Sequence, residues 1–243
     1  MFNYIKFAIT QIVGFIFSLI PLSIFKSSPD KYSQEDKSRF LNLHAKKSLK
    51  RVKINLDIKG RENIPDEPAL FVANHSSMLD GFILMASIEK PFGCVIADEP
   101  VWRNIPIVRK WASLVKCVYM NRENNREGMK SIIKAAENIK SGQYMAIFPE
   151  GDLTWVKDSS AIISDFKAGA LKIAYKAKCP IVPVAIKNSK DTYEGYQPYG
   201  KINSKDVCVE FLKPVVEHIE NPRCKTIELA EKIRCSMIES IVN

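Results

Sequence analysis

The stretch Ala69-Leu70-Phe71-Val72-Ala73-Asn74-His75 runs from an uninterrupted apolar segment into one of the chain's three histidines. Five apolar residues without alternation predict a strand that is buried on both faces, as in the interior of a parallel sheet. Asp80 follows His75 by five residues. A carboxylate that bonds an imidazole holds it in one tautomer, so that the other ring nitrogen can accept a proton from a hydroxyl. This stretch therefore predicts a general base at the end of a buried strand.

Similar apolar runs recur along the chain and are separated by stretches of helical period. One such stretch has apolar residues at 129, 132, 133, 136 and 139, which share one face of a helix that Gly142 would end. Strands that alternate with helices favour a parallel sheet covered on both sides. The predicted fold is α/β, with a mostly parallel central sheet flanked by helices. We predict strands at 54–58, 69–73, 93–97, 114–120, 144–148, 181–186 and 207–212.

The N-terminus carries a long apolar segment. Residues 7–25 contain no charged side chain and would form about 28 Å of helix. A secretory signal peptide does not fit, because no small-residue cleavage site follows and Lys26 leads into further charge. We predict a membrane helix that either spans the bilayer or dips into one leaflet; a buried core helix is the alternative.

The net charge of +9 is concentrated just after this segment. Residues 31–61 hold ten Lys and Arg against three Asp and Glu, which gives +7. Such a segment suits an anionic lipid surface, although a merely solvated basic face is the alternative. Nucleic acid is not an expected partner, because the segment has no interleaved aromatic residues and no recognisable binding motif. Greater basicity after the apolar segment than before it predicts a location on the cytoplasmic face of a membrane.

We therefore divide the chain into three segments. Residues 1–28 are predicted to anchor it in a membrane, residues 29–62 to form a basic amphipathic linker at the membrane surface, and residues 63–243 to form the catalytic domain. The six cysteines are scattered without a C-x-x-C pair, which indicates a reducing compartment and no structural metal.

Three of the predicted strands end in turns that carry chemistry. These turns are Asn74-His75, Asn121-Arg122 and Pro149-Glu150-Gly151. Because ligands bind where the carboxyl ends of parallel strands meet, we expect the three turns to share one site. Arg122 could bind a phosphate through its planar fork or form a structural salt bridge. Glu150 could hold a hydroxyl, orient a loop or face solvent.

A purely structural interpretation of the first turn stays open. Ser77 and Asp80 have the spacing of a helix-capping box, in which the carboxylate serves only the helix end. The catalytic interpretation requires a helix that begins near Ser76 or Ser77, so that Asp80 can reach back to the ring of His75.

The chain contains four blocks in a characteristic order: Asn74-His75-x4-Asp80, Tyr119-Met120-Asn121-Arg122, Phe148-Pro149-Glu150-Gly151 and Val182-Pro183-Val184. Taken together, these blocks resemble the glycerolipid acyltransferase family, most of all the bacterial 1-acylglycerol-3-phosphate acyltransferases. The segment Phe166-Lys167-Ala168-Gly169-Ala170 is also similar to the family, and the resemblance covers about residues 60–215.

This resemblance implies a reaction and a set of roles. His75 would be the general base and Asp80 its orienting partner, so that a glycerol hydroxyl attacks the thioester of acyl-CoA or acyl-carrier protein and gives phosphatidic acid. No cofactor or metal is implied beyond that co-substrate, and the other partners would be membrane lipids. The implied substrate-binding residues are Asn74, Arg122, Glu150, Gly151 and Lys167, and the implied acyl-pocket residues are Val182, Pro183 and Val184.

The chain also departs from the family's usual pattern. The third block commonly reads Glu-Gly-Thr-Arg-Ser, whereas this chain reads Glu150-Gly151-Asp152-Leu153-Thr154. An apolar residue thus replaces a cation that is expected to meet the acceptor's phosphate. Two alternatives follow: an acyltransferase for another lyso-lipid, or a lipid-binding member without turnover. A serine hydrolase is a poorer alternative, because the chain has no G-x-S-x-G elbow.

Overall fold

A computed structural model describes residues 2–99, 104–154, 160–194, 201–221 and 223–243. The helices are α1 (Phe2–Ser27), α2 (Gln34–Arg51), α3 (Asp80–Ser87), α4 (Pro106–Leu114), α5 (Asn125–Lys140), α6 (Lys172–Ala177), α7 (Glu217–Glu220) and α8 (Thr226–Val242). The strands are β1 (Ile54–Lys59), β2 (Leu70–Ala73), β3 (Phe92–Ala97), β4 (Val118–Met120), β5 (Tyr144–Ile147), β6 (Ile181–Lys187), β7 (Tyr193–Glu194), β8 (Lys201–Ile202) and β9 (Lys205–Phe211).

The main sheet has seven strands in the order β1-β9-β6-β2-β5-β3-β4. Strands β6, β2, β5, β3 and β4 are parallel to one another, whereas β9 runs antiparallel to β6 and parallel to β1. The predicted α/β fold with a mostly parallel sheet is confirmed. The carboxyl ends of β2, β5 and β4 consequently lie at the same edge, as the turn argument requires.

The opening strand β2 lies at the centre of this sheet and is buried on both faces. Because side chains alternate along a strand, Phe71 and Ala73 enter one core with α2 and α3, whereas Leu70 and Val72 enter the other with α5, α6 and α8. Burial on both faces explains why the apolar run contains no alternating polar residues.

One predicted strand is shorter than expected. Residues 114–120 were predicted to be extended, but Leu114 is the last residue of α4 and the strand begins only at Val118. Lys116 lies between them with a positive φ of 55°, which breaks the chain direction. Apolar residues serve both the helix end and the strand here, so hydrophobicity alone could not separate them.

The segment predicted as a basic linker forms regular structure. Helix α2 begins with a capping box between Ser33 and Asp36. Further along it, the Asn42 amide donates to the backbone oxygens of Met85 and Ile88, both at 3.0 Å. Strand β1 then pairs with β9 at the edge of the main sheet. Residues 34–59 are therefore built into the fold, and their contact with a membrane surface stays a prediction.

Helix α1 packs one narrow face against the rest of the protein. Gln11 bonds Ser48 at 3.1 Å and His44 at 3.0 Å, and the Trp111 indole donates to Ser18 at 3.0 Å. The helix is the one element, within the described part of the chain, that is long and apolar enough to cross a membrane. Its outer face exposes large apolar side chains, including those of Phe2, Ile9, Ile12, Ile16, Phe17 and Ile20.

Candidate active site

The ring of His75 lies just beyond the end of β2 and contacts Asp80. The His75 Nδ1 and Asp80 Oδ2 atoms are 3.0 Å apart. Helix α3 begins at Asp80 itself, slightly later than expected, so the carboxylate is at its first position and reaches back to the imidazole. With Nδ1 donating to the carboxylate, Nε2 is left as the acceptor.

The Asp80 carboxylate is fully buried and strongly bonded on one oxygen. Besides the imidazole, Oδ2 accepts the backbone N–H groups of Ser76 at 2.6 Å and Ser77 at 2.7 Å. The Ser77 bond is half of the capping box that we considered. One carboxylate thus orders the turn and orients the ring, so the structural and the catalytic interpretations are compatible.

The His75 ring stacks on the ring of Phe148. The two ring centroids are 4.3 Å apart and the planes differ by 22°. The His75 side chain retains 22% exposure, and its Nε2 has no hydrogen-bond partner among the described residues. Phe148, the residue directly after β5, fixes the ring plane, a contact that the sequence blocks do not reveal.

The Glu150 carboxylate is buried, contrary to its expected position at the mouth of the site. Its Oε1 accepts the backbone N–H of His75 at 2.6 Å, and its Oε2 accepts the Thr154 hydroxyl at 2.7 Å. Oε2 also accepts both the backbone N–H, at 2.8 Å, and the hydroxyl, at 2.6 Å, of Ser164. With these donors around it, the carboxylate ties three loops together, which matches the loop-orienting alternative.

Thr154 completes the grip on the backbone of His75. Its N–H donates to the His75 carbonyl at 2.7 Å. Its hydroxyl, which has one proton for two acceptors, lies 3.0 Å from that carbonyl and 2.7 Å from Glu150 Oε2. Glu150 therefore binds the backbone N–H of His75, and Thr154 binds its carbonyl. Thr154 and Ser164 were not identified from the sequence, because short hydroxyl residues in loops carry no distinctive pattern.

Asn74 is also buried, and its amide serves the fold. Its Oδ1 accepts the Ile186 N–H at 2.7 Å, and its Nδ2 donates to the Ile186 carbonyl at 3.0 Å. The side chain thus extends the pairing of β2 with β6 past the strand end. The predicted contact of Asn74 with a substrate has no support in this geometry.

The predicted acyl-pocket residues Val182, Pro183 and Val184 lie inside strand β6. All three are buried, and β6 lies between β9 and β2 in the sheet. None of them is among the described residues that line the cavity below. Their apolar character reflects a central strand, for which the sequence signal is the same as for a pocket wall.

A cavity of about 390 Å³ opens at the carboxyl ends of β3, β4 and β5. Phe148 forms part of its wall, so it adjoins the stacked ring of His75. Its lining is largely apolar, with contributions from Val95, Met120 and Ile132. Three cationic side chains also line it, and no Asp or Glu is among its described lining residues. These cations belong to Arg122, Lys167 and Lys172.

Gly151 allows one of these cations to approach. Its φ of +80° lies in the left-handed region, and a Cβ there would come within 2.8 Å of the Lys167 Cε and Nζ atoms. The glycine of the third block therefore permits both the turn and the passage of the lysine. Arg122, Gly151 and Lys167 are thus brought together at the cavity, whereas Asn74 and Glu150 lie behind it.

The unusual residues of the third block do not line the cavity. Leu153 is only 7% exposed, and the Asp152 carboxylate accepts the Leu153 N–H at 2.8 Å. Lys116, Lys157, Lys167 or the retained Arg122 could replace the missing arginine, and of these Lys167 and Arg122 line the cavity. Lys116 contacts Ser141 instead, at 3.5 Å, and Lys157 lies outside the described residues.

Two cysteines, one in β3 and one just before β4, are not activated nucleophiles. Burial raises the pKa of the Cys117 thiol to about 11 and that of Cys94 well above its ordinary value. Both thiols are therefore protonated at neutral pH and poorly nucleophilic. The described part of the chain contains no group of three or more His, Cys, Asp or Glu side chains placed to hold a metal ion.

Residues 55–187 match the family model described as Acyltransferase, which is more than half of the chain. The chain belongs to the acyltransferase family. All of the site residues described above fall within the matched range. This membership agrees with the resemblance that the four blocks carry.

Several characterised or named acyltransferases are similar to this chain. The 1-acyl-sn-glycerol-3-phosphate acyltransferase of Saccharomyces cerevisiae is 30% identical over 192 residues, which cover 77% of this chain and 61% of that protein. The probable 1-acyl-sn-glycerol-3-phosphate acyltransferase of Mycoplasma pneumoniae is 34% identical over 185 residues, which cover 72% of this chain and 65% of the relative. The chain thus spans somewhat less than two thirds of the length of these acyltransferases.

The fold also matches that of a solved acyltransferase. The crystal structure of the 1-acyl-sn-glycerophosphate (LPA) acyltransferase PlsC from Thermotoga maritima superposes with a TM-score of 0.79. The match covers 99% of this chain and 94% of that one, at 19% identity. At this identity the likeness establishes the shared fold.

Proposed function

We propose that this protein transfers an acyl group from acyl-CoA or acyl-carrier protein to the free hydroxyl of 1-acylglycerol-3-phosphate, giving phosphatidic acid. The observation that carries the proposal is the His75–Asp80 pair, whose imidazole stacks on Phe148, a residue in the wall of a cavity lined by cations and apolar groups. The printed names of its acyltransferase relatives support the same reaction.

The chemistry follows from the orientation of the imidazole. The acceptor hydroxyl gives its proton to Nε2 as its oxygen attacks the thioester carbonyl, and Asp80 stabilises the imidazolium that forms. The carbon–sulfur bond then breaks, and the thiol leaves with the proton from His75. General-base assistance of this kind contributes about 10²- to 10⁴-fold to the rate.

The acceptor's phosphate would bind at the cationic end of the cavity. Arg122 offers a planar fork for two phosphate oxygens, and Lys167 adds a second charge beside Gly151. The apolar walls suit the glycerol backbone and the start of an acyl chain. For the transfer, the acceptor's hydroxyl must come within hydrogen-bond distance of the His75 Nε2 atom beside Phe148.

The test is a panel of acceptors with purified, detergent-solubilised protein. We expect turnover with lysophosphatidate and either thioester donor, and at least a hundredfold loss of turnover in His75→Ala. Circular dichroism and thermal melting of the variant serve as the control for folding. Near-normal turnover in His75→Ala would refute the base assignment. A clear preference for an uncharged lyso-lipid, or binding without product, would favour the alternatives raised by Leu153.

We further propose that α1 lies along one leaflet on the cytoplasmic face and does not span the bilayer. Its packed face contacts the domain near both ends, through Tyr4 with Tyr193 and through Phe25 with Trp111. A spanning helix would lose most of these contacts. The apolar outer face suits insertion into acyl chains, and α2 with its neighbouring lysines supplies charge for anionic headgroups.

Tags at the two ends of the chain test this placement. In sealed inverted membrane vesicles, we expect added protease to remove both an N-terminal and a C-terminal tag. Intact vesicles that protect only the N-terminal tag would show that α1 spans the membrane.

A further inference from the structure

We propose that Lys172 determines acceptor specificity by supplying the phosphate contact that Leu153 cannot make. The inference rests on the proposed function, because it concerns the same acceptor. Lys172 belongs to none of the sequence blocks that carry the family resemblance. It lines the same cavity as Arg122 and Lys167 and is the third cation among the described lining residues.

The local backbone explains how two lysines reach one cavity. Lys167 precedes a short 3-10 turn, Ala168–Leu171, and Lys172 begins α6 directly after it. Gly169 and Ala170 of that turn also line the cavity, and residues this small take up little of its space between the two lysines. Arg122 approaches from the turn after β4, so cations enter from two separate elements.

The charge pattern points to an anionic ligand. Neither the Lys172 ammonium nor the Arg122 guanidinium makes a hydrogen bond or ion pair with any described residue. Lysines elsewhere in the same structure do find carboxylates, for example Lys205 with Asp191 at 2.7 Å. Like charges around a cavity with no carboxylate among its described lining residues repel each other, and a phosphate dianion between them would relieve that repulsion.

The position that normally carries the cation is closed. Leu153 is buried away from the cavity, and its neighbour Asp152 would oppose an anion there. Lys172 is the extra cation that the described cavity provides in compensation. It acts as a point charge, whereas Arg122 adds the directional fork.

The decisive experiment compares Lys172→Gln with Lys176→Gln. Lys176 lies one turn later on the same helix, is exposed, and is not among the described lining residues. For Lys172→Gln we expect KM for lysophosphatidate to rise about tenfold with kcat changed less than about threefold. Lys176→Gln should leave both constants near those of the wild type, and Lys172→Arg should restore most of the KM.

A second acceptor separates a charge effect from a structural one. Monoacylglycerol lacks the phosphate, so its binding should be the same in Lys172→Gln and the wild type. Equal KM values for lysophosphatidate in the two glutamine variants would overturn the inference, as would an equal loss of both acceptors in Lys172→Gln.

Equilibrium binding in detergent micelles keeps the inference independent of turnover. If the wild type makes no product from lysophosphatidate, the proposed function fails. In that case, the affinities of each variant for lysophosphatidate and for monoacylglycerol are compared. This comparison still decides whether Lys172 binds the phosphate.

Discussion

The two halves of the site differ in how their polar groups are satisfied. Around His75, the carboxylates of Asp80 and Glu150 are buried and accept several protein hydrogen bonds. Around the cavity, Arg122 and Lys172 have no polar partner among the described residues. The chemical half is held in one geometry before substrate arrives, whereas the binding half leaves the charges of Arg122 and Lys172 for a ligand. We expect substitutions in the first to change kcat or stability, and substitutions in the second to change KM.

The largest effect is expected for Asp80→Asn. The amide keeps the volume of the carboxylate, and its one oxygen can still accept from the ring and the two backbone N–H groups. It carries no negative charge, however, to stabilise an imidazolium. We expect kcat to fall about 10²- to 10⁴-fold, with KM for the acceptor within a few-fold of the wild type. Steady-state kinetics with varied acceptor measure both constants. A rise in KM with kcat preserved would place Asp80 in the binding half and break the comparison.

An intermediate effect is expected for Glu150→Gln. Each carboxylate oxygen accepts from protein donors, so an NH₂ in place of either oxygen would face a donor. We expect the free energy of unfolding to fall by about 2 kcal/mol and kcat to fall about tenfold, because the His75 backbone loses a partner. Urea unfolding and kinetics measure the two effects. If Glu150 binds the acceptor directly, the variant would instead show raised KM with unchanged stability.

The smallest effect is expected for Leu153→Arg, introduced both into the wild type and into Lys172→Gln. An arginine at this buried position must turn outward to reach the cavity, so we expect it to recover only about threefold of the KM lost in Lys172→Gln. Its effect in the wild type should be smaller still. No recovery, together with unchanged folding, would show that position 153 is too far from the phosphate to matter.

Much of the fold was predictable because it depends on local signals. The continuous apolar run before Asn74 identified a strand buried on both sides, and the helical period at 129–139 identified α5. The same signals failed at residues 114–117, where apolar side chains end a helix, and at residues 34–51, where basic composition concealed a helix.

The site was predictable in its residue types but not in their orientation. The blocks brought His75, Asp80, Arg122, Gly151 and Lys167 to one edge. They did not reveal that Asn74 and Glu150 turn inward, or that Lys172 joins the cavity. Lys172 follows Lys167 by five residues across the segment that resembles the family, and this repeat of a cation near the site was the one available signal.

The sequence by itself determined the succession of strands and the kinds of chemistry at their ends, because periodicity and turn residues act between near neighbours. Only the tertiary structure decided which polar groups face a ligand and which hold the fold. Glu150 meets a backbone group 75 residues earlier, and Asn74 meets one 112 residues later. Burial and hydrogen-bond partners at such separations arise from the packing of whole strands, and no local pattern encodes them.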